Sequence, residues 1–211
     1  MNWKDIPDNK EVREWIKALI CTSAETTLPK IEGTITTKEF QRAFANAKEN
    51  TSSSPSGMYY TVWKCIAKDD GLAPSFATMM SLQFQYGFVN NRWCKATDVI
   101  LEKKPGVRKI HQLRIIGLLE SDFNTSLKLI FARKMMWNAE TSGISDEQWG
   151  GRPNRTALDT ACKKLLTLDY ARTMHKTIAM FANDATECFE RMVPGVFSLI
   201  ARKFGVSSSI M

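Results

Sequence analysis

Apolar positions along the chain recur at two spacings, and each change of spacing marks an element. Val12, Trp15, Ile16 and Leu19 stand three and four residues apart, which predicts a helix over 10–20. Thr36 and Glu39 form the S/T-x-x-E signature of a helix start, and Phe40, Ala43, Phe44 and Ala47 follow on one face. The Ser-, Pro- and Gly-rich stretch 51–57 then reads as a loop. Helical spacing returns over 74–88. Next come two β-branched runs, 97–101 and 113–119, separated by Pro105-Gly106 and basic residues, the pattern of a β-hairpin.

The second half repeats these themes. Asp122–Asn124 offers caps for a helix using Leu127, Ile130, Phe131 and Met135. Asn154 offers a cap for another, with Leu158, Ala161, Cys162, Leu165 and Leu166 on one face. Residues 177–182 (TIAMFA) read as a buried strand, and from Phe189 the spacing of Met192, Val193, Val196, Phe197 and Ile200 is helical again. Helices, a hairpin, more helices and a strand–turn–helix unit give an α+β class, with no internal repeat and no long linker.

Composition narrows the class. At 211 residues and 23.9 kDa the chain has enough mass for a core, and 44% apolar with 24% charged residues excludes collagen, a disordered tail and a disulfide-packed toxin. No run approaches the ~18 apolar residues of a membrane span, and the N-terminus is charged from its fourth residue. We expect no membrane association and an intracellular protein, nuclear or cytoplasmic, that is not secreted. The five cysteines are widely spaced and odd in number, which predicts reduced, mostly buried thiols. The net charge of +7 favours a polyanionic partner.

Three segments carry candidate chemistry. An apolar run delivers Asp184 ahead of a helix, where a carboxylate can hold a hard cation or simply cap that helix. Lys103, Lys104, Arg108, Lys109 and Arg114 place five fixed positive charges within twelve residues of the hairpin. Arg114, inside the run LRIIGLL, is either an anion ligand or the partner of Glu120 or Asp122; the lysines are anion ligands or a solvated turn. The segment Gln148-Trp-Gly-Gly-Arg-Pro-Asn154 allows close backbone approach to a ligand, but lacks the ending of a phosphate loop.

Taken in order, these pieces resemble the reverse-transcriptase domain of non-LTR retrotransposons and related elements, from about residue 49 to 204. ENTSSSPSG resembles the SPSG-type opening of the fingers. ILEKKPG with LRIIGLL is similar to the basic finger hairpin, QWGGRP to the Q-x-G-F-R segment, and NDATECFER to the first palm motif, D-x-x-x-x-[FY]-D. The resemblance implies an incomplete right-hand polymerase: an N-terminal helical extension over 1–48, a fingers-like region over 49–175, and a truncated start of the palm over 176–211.

The resemblance also implies roles. Asp184 would hold two Mg²⁺ ions that activate a primer 3′-OH and stabilise the leaving pyrophosphate, with the Ala185 carbonyl as a second ligand. Phe189 would lie beneath the sugar of a dNTP and reject a 2′-OH. Lys103, Lys104 and Arg114 would neutralise the triphosphate. Gln148, Gly150 and Arg152 would line the path of an RNA or DNA template carrying its primer. Three departures stand out. Glu190 replaces the usual Asp, and Ile115 replaces the usual Pro. The later aromatic-x-Asp-Asp motif does not occur, Asp69-Asp70 being the sole adjacent pair. Residues 1–211 alone are therefore expected to be inactive, with the missing palm and thumb supplied by a full-length chain. Apolar faces around 177–182 and 189–204 should then be exposed. A non-catalytic nucleic-acid-binding remnant is the alternative.

Overall fold

The computed structural model describes residues 9–24, 27–49, 54–106, 109–181 and 192–211. The chain runs α1 (Lys10–Ala24), α2 (Thr37–Ala45), α3 (Tyr60–Lys68), α4 (Leu72–Tyr86), β1 (Thr97–Glu102) and β2 (Leu113–Leu118). It continues with α5 (Ser121–Leu127), a π-helical stretch (Lys128–Met135), α6 (Met136–Ser142), α7 (Ala157–Thr173) and α8 (Pro194–Lys203). The result is a mixed α+β fold: a helix-rich core and a small two-stranded antiparallel hairpin.

Local chemistry explains α2. The Thr36 side chain accepts from the Glu39 backbone N–H at 3.2 Å, and the Thr36 N–H donates to Glu39 Oε2 at 2.8 Å, completing the expected capping box. Its apolar face delivers Phe40 and Phe44 to full burial. There the rings join a chain of aromatic contacts: Phe40–Phe44 at 4.9 Å, Phe44 stacked on Trp63 at 5.6 Å, and Trp63 edge-on to Phe76 at 5.7 Å. A second chain, Phe84–Trp93–Phe123, extends the core towards the hairpin. Helix α4 presents Ala73, Ala77, Met80 and Phe84 inward. Its buried Ser81 hydroxyl accepts from the Ile35 N–H at 2.8 Å, satisfying a backbone donor that burial would otherwise strand.

One turn and one crossing depend on glycine. Gly33 has φ +72°, and a Cβ there would lie 2.5 Å from Phe84 Cβ. Gly205 has φ +90°, and its Cβ would lie 2.6 Å from the Pro29 carbonyl oxygen. That close approach lets Ile31 form a parallel bridge with Val206. The buried Asn138 side chain clamps the crossing, donating to the carbonyls of Pro29 at 2.8 Å and Phe204 at 2.9 Å. Segments far apart in sequence are thus held by one amide. Separately, Ile16 and Leu19 of α1 pack on Leu199 and Ile200 of α8.

Several expectations need correction. Residues 177–181 form no strand: they are unpaired and exposed, Phe181 to 95%, and an apolar run without a neighbour to ladder with has nothing to hold it extended. Their exposure itself agrees with the expected uncovered apolar face, as does that of Met192 and Val193; Leu199 and Ala201, by contrast, are buried. The final helix begins at Pro194, whose fixed φ suits the first turn. Thr156, not Asn154, caps α7, sharing a capping box with Asp159. The apolar residues Leu158, Leu165 and Leu166 of α7 face solvent. Helix α3 is not among the predicted elements, although its core residues Tyr60, Trp63 and Ala67 stand at i, i+3 and i+7, a helical spacing. Cys65, Cys94 and Cys162 are exposed, contrary to the expected burial. Among the described residues no helix is long and apolar enough to cross a membrane.

Candidate functional site

The hairpin forms as the β-branched runs predict, with Thr97 opposite Leu118 and Leu101 opposite Arg114. Its turn is held by the Lys103 N–H donating to the Gln112 carbonyl at 3.2 Å, and by the Gly106 N–H donating to Glu102 Oε2 at 2.7 Å. Ile100 and Ile115, opposite one another in register, are 61% and 70% exposed, so the ribbon projects into solvent. Lys103, Lys104, Lys109 and Arg114 are exposed on it. Arg114 therefore keeps its hydration, and the burial penalty expected from its apolar neighbours does not arise.

The carboxylates expected for Arg114 are bound elsewhere. Glu120 and Asp122 are buried at the foot of β2, and both accept from Arg92: Nη1 donates to Glu120 Oε2 at 2.7 Å and to Asp122 Oδ1 at 3.0 Å, while Nη2 donates to Asp122 Oδ2. The Trp93 indole N–H also donates to Asp122 Oδ2, at 2.9 Å. Asp122 is thus a buried acceptor inside α5, where a helix cap was expected. Burial alone would lower the Arg92 pKa, but the facing carboxylates of Asp122 and Glu120 outweigh it and raise it. Two buried anions share one guanidinium, which also lies 5.8 Å from the Trp63 ring centroid.

The same foot captures the SPSG segment. The Ser56 N–H and hydroxyl donate to the two oxygens of Glu120, each at 2.9 Å. Ser54, at φ 76°, donates its hydroxyl to the Met58 carbonyl at 2.6 Å, and the Ser121 hydroxyl reaches that carbonyl too, at 2.6 Å. The Ser121 N–H donates to Ser54 Oγ at 3.0 Å. Residues 54–58 and 119–122 therefore form one hydrogen-bonded root from which the basic ribbon extends. Arg92 is invisible to sequence spacing; the only signal is two acids flanking Ser121 directly after an apolar run.

Gln148, Gly150 and Arg152 come together in one loop before α7. The Arg152 guanidinium is buried, donating Nε and Nη2 to the two oxygens of Glu140 at 2.7 and 2.6 Å, and Nη1 to the carbonyls of Ser145 and Gln148 at 2.9 and 3.1 Å. The hydrogen bonds that Arg152 donates to Glu140 lower the Glu140 pKa and raise that of Arg152. Gln148 Nε2 donates to the Gly150 carbonyl at 3.1 Å. With four hydrogen bonds made inside the protein, Arg152 builds the loop. The Arg155 guanidinium lies 4.8 Å from the centroid of the half-buried Trp149 ring.

Asp184, Ala185 and Phe189 lie outside the described residues. Among the described residues no group of three or more His, Cys, Asp or Glu side chains could hold a metal ion. The buried pair Glu120 and Asp122 does not fit a Mg²⁺ site, because the Arg92 guanidinium already occupies oxygens of both carboxylates. Neither protein-family models nor curated protein sequences match the chain.

Proposed function

We propose that the chain forms the fingers and the first part of the palm of a reverse transcriptase of the non-LTR retrotransposon type, an RNA-directed DNA polymerase. The full-length protein would add dNTPs to a primer 3′-OH, and residues 1–211 would not polymerise by themselves. One observation carries most of the support. The SPSG segment and the basic hairpin, two separate stretches behind the resemblance, share one buried root through Glu120 and Ser121. A ribbon on such a root presents Lys103, Lys104 and Arg114 to an anion at fixed spacing, a positioning role that needs no further chemistry from the hairpin. The roles of Asp184 and Phe189 rest on the resemblance alone.

The non-catalytic alternative needs only the exposed basic ribbon. The two readings separate in a binding experiment on a labelled RNA–DNA primer–template with dNTP. A polymerase fragment retains dNTP in a Mg²⁺-dependent manner, and Asp184→Asn or Arg114→Gln reduces that retention at least several-fold. A remnant binds the duplex in a salt-sensitive way, indifferent to Mg²⁺ and to Asp184→Asn. Primer extension by residues 1–211, abolished by Asp184→Asn, would overturn the expected inactivity.

A further inference from the structure

Away from the hairpin, helices α2 and α3 enclose a groove of about 440 Å³ lined by Lys38, Arg42, Lys64 and Lys68. Each helix contributes two cations at i and i+4, neighbours on one helical face, and like charges so placed repel. Lys38 also lies in the first turn of α2, where the helix dipole disfavours a cation. Arg42 and Lys68 lie in the last turns of α2 and α3, where the dipole favours a cation, so helix stability explains them but neither Lys38 nor the two like-charge pairs. The groove's shape is fixed from below, since Phe44 of α2 stacks on Trp63 of α3 at 5.6 Å. Glu49 pairs with Lys64 at 2.8 Å and also attracts Lys68, and Asp70 accepts from the groove-lining Gln41 at 3.2 Å, but no carboxylate is among the residues lining the groove. Three cations remain in excess.

We propose that this groove is a second binding surface for a nucleic-acid strand, held through its phosphates without regard to sequence. An anionic strand relieves both i, i+4 repulsions at once and releases its own counterions. A lipid surface suits the site poorly. The groove is concave, its floor is Ala45 and Ala67, and no aromatic or large aliphatic side chain lines it to enter a bilayer. The inference rests on the chain's handling nucleic acid at all, and adds a binding surface that neither the hairpin nor the palm motif supplies.

The test is the salt dependence of binding to a labelled single-stranded RNA oligonucleotide by the whole chain, measured by fluorescence anisotropy. Three charge-matched variants are compared. The first replaces Lys38, Arg42, Lys64 and Lys68 by Gln; the second replaces Lys103, Lys104, Lys109 and Arg114; the third replaces the exposed Lys10, Lys17, Lys95 and Lys164 as a control. The groove variant should flatten the plot of log K against log salt by about 0.7 for each phosphate it no longer neutralises, a total of about 2 for the three cations in excess. The control should leave the slope within about 0.7 of wild type, the equivalent of a single phosphate. Circular dichroism checks folding, and Lys38→Gln/Lys68→Gln, which spares the Lys64–Glu49 pair, provides a milder second variant with about two thirds of the effect. Equal slopes for the groove and control variants overturn the inference, as does loss of binding to phosphatidylserine vesicles with RNA binding intact. If only the hairpin variant loses RNA, the groove inference falls and the polymerase reading stands. If the wild-type chain binds no RNA, both fall.

Discussion

Arg92 is the side chain on which the foot of the hairpin depends. Replacing it with Met leaves Glu120 and Asp122 buried without their cation, which should destabilise the fold by about 3–5 kcal/mol in denaturant titration. Arg92→Lys should recover only part of that stability, because an ammonium cannot serve both carboxylates with a planar fork. Glu140 supports a pH prediction. Its folded pKa is depressed by Arg152, so its contribution is fully present above its ordinary value of 4.5 and is lost as pH falls through the lower folded value. Amide-exchange protection of the loop 145–152 should therefore drop on acidification below about pH 4.5, and Glu140→Gln should give low protection that is independent of pH across that range. None of these pairings can be read from spacing. Arg114 looks the more constrained arginine because of its apolar neighbours, yet those neighbours are exposed, while Arg92, with no such neighbours to mark it, is the one held between acids.

Among elements, the hairpin and α2 were the most legible, and for the same reason. A capping box, a two-sided ribbon and its turn are satisfied by residues close in sequence. The hairpin projects into solvent, so replacing Lys103, Lys104, Lys109 and Arg114 by Gln should shift thermal stability by no more than about 0.5 kcal/mol while weakening nucleic-acid binding. The opposite balance holds at Gly33. Gly33→Ala should cost about 1–3 kcal/mol, since the new methyl meets Phe84 and the backbone is left-handed there, and a thermal melt would register it. Helix α7 shows where periodicity fails. Its Leu158, Leu165 and Leu166 match a core face by spacing, but spacing names a face without supplying a neighbour to cover it. The π-helical stretch Lys128–Met135, which joins α5 to α6 while burying Leu129 and Ile130, likewise leaves no mark in the apolar pattern.

Across the whole molecule, the core unites residues from Ile31 to Val206, so segments expected to serve as extension, fingers and palm contribute to one cluster. Asn138 is the joint between the two ends of that span. Asn138→Ala should weaken the Ile31–Val206 bridge and lower stability by about 1–3 kcal/mol, because two hydrogen bonds, to the carbonyls of Pro29 and Phe204, are lost. Hydrogen exchange at Ile31 and Ser207, whose N–H groups form that bridge, would report the loosening directly. The amino-acid sequence alone determined the α+β class, the capping box of α2, the hairpin and its cluster of cations, since each follows from short-range periodicity and local hydrogen bonding. Tertiary structure decided the rest: Glu120 and Asp122 went to Arg92, Arg152 turned inward, and 177–181 stayed out of any sheet. Those outcomes turn on which residues meet across long stretches of chain, where burial changes the energy of a charge and a strand exists only if another strand lies beside it.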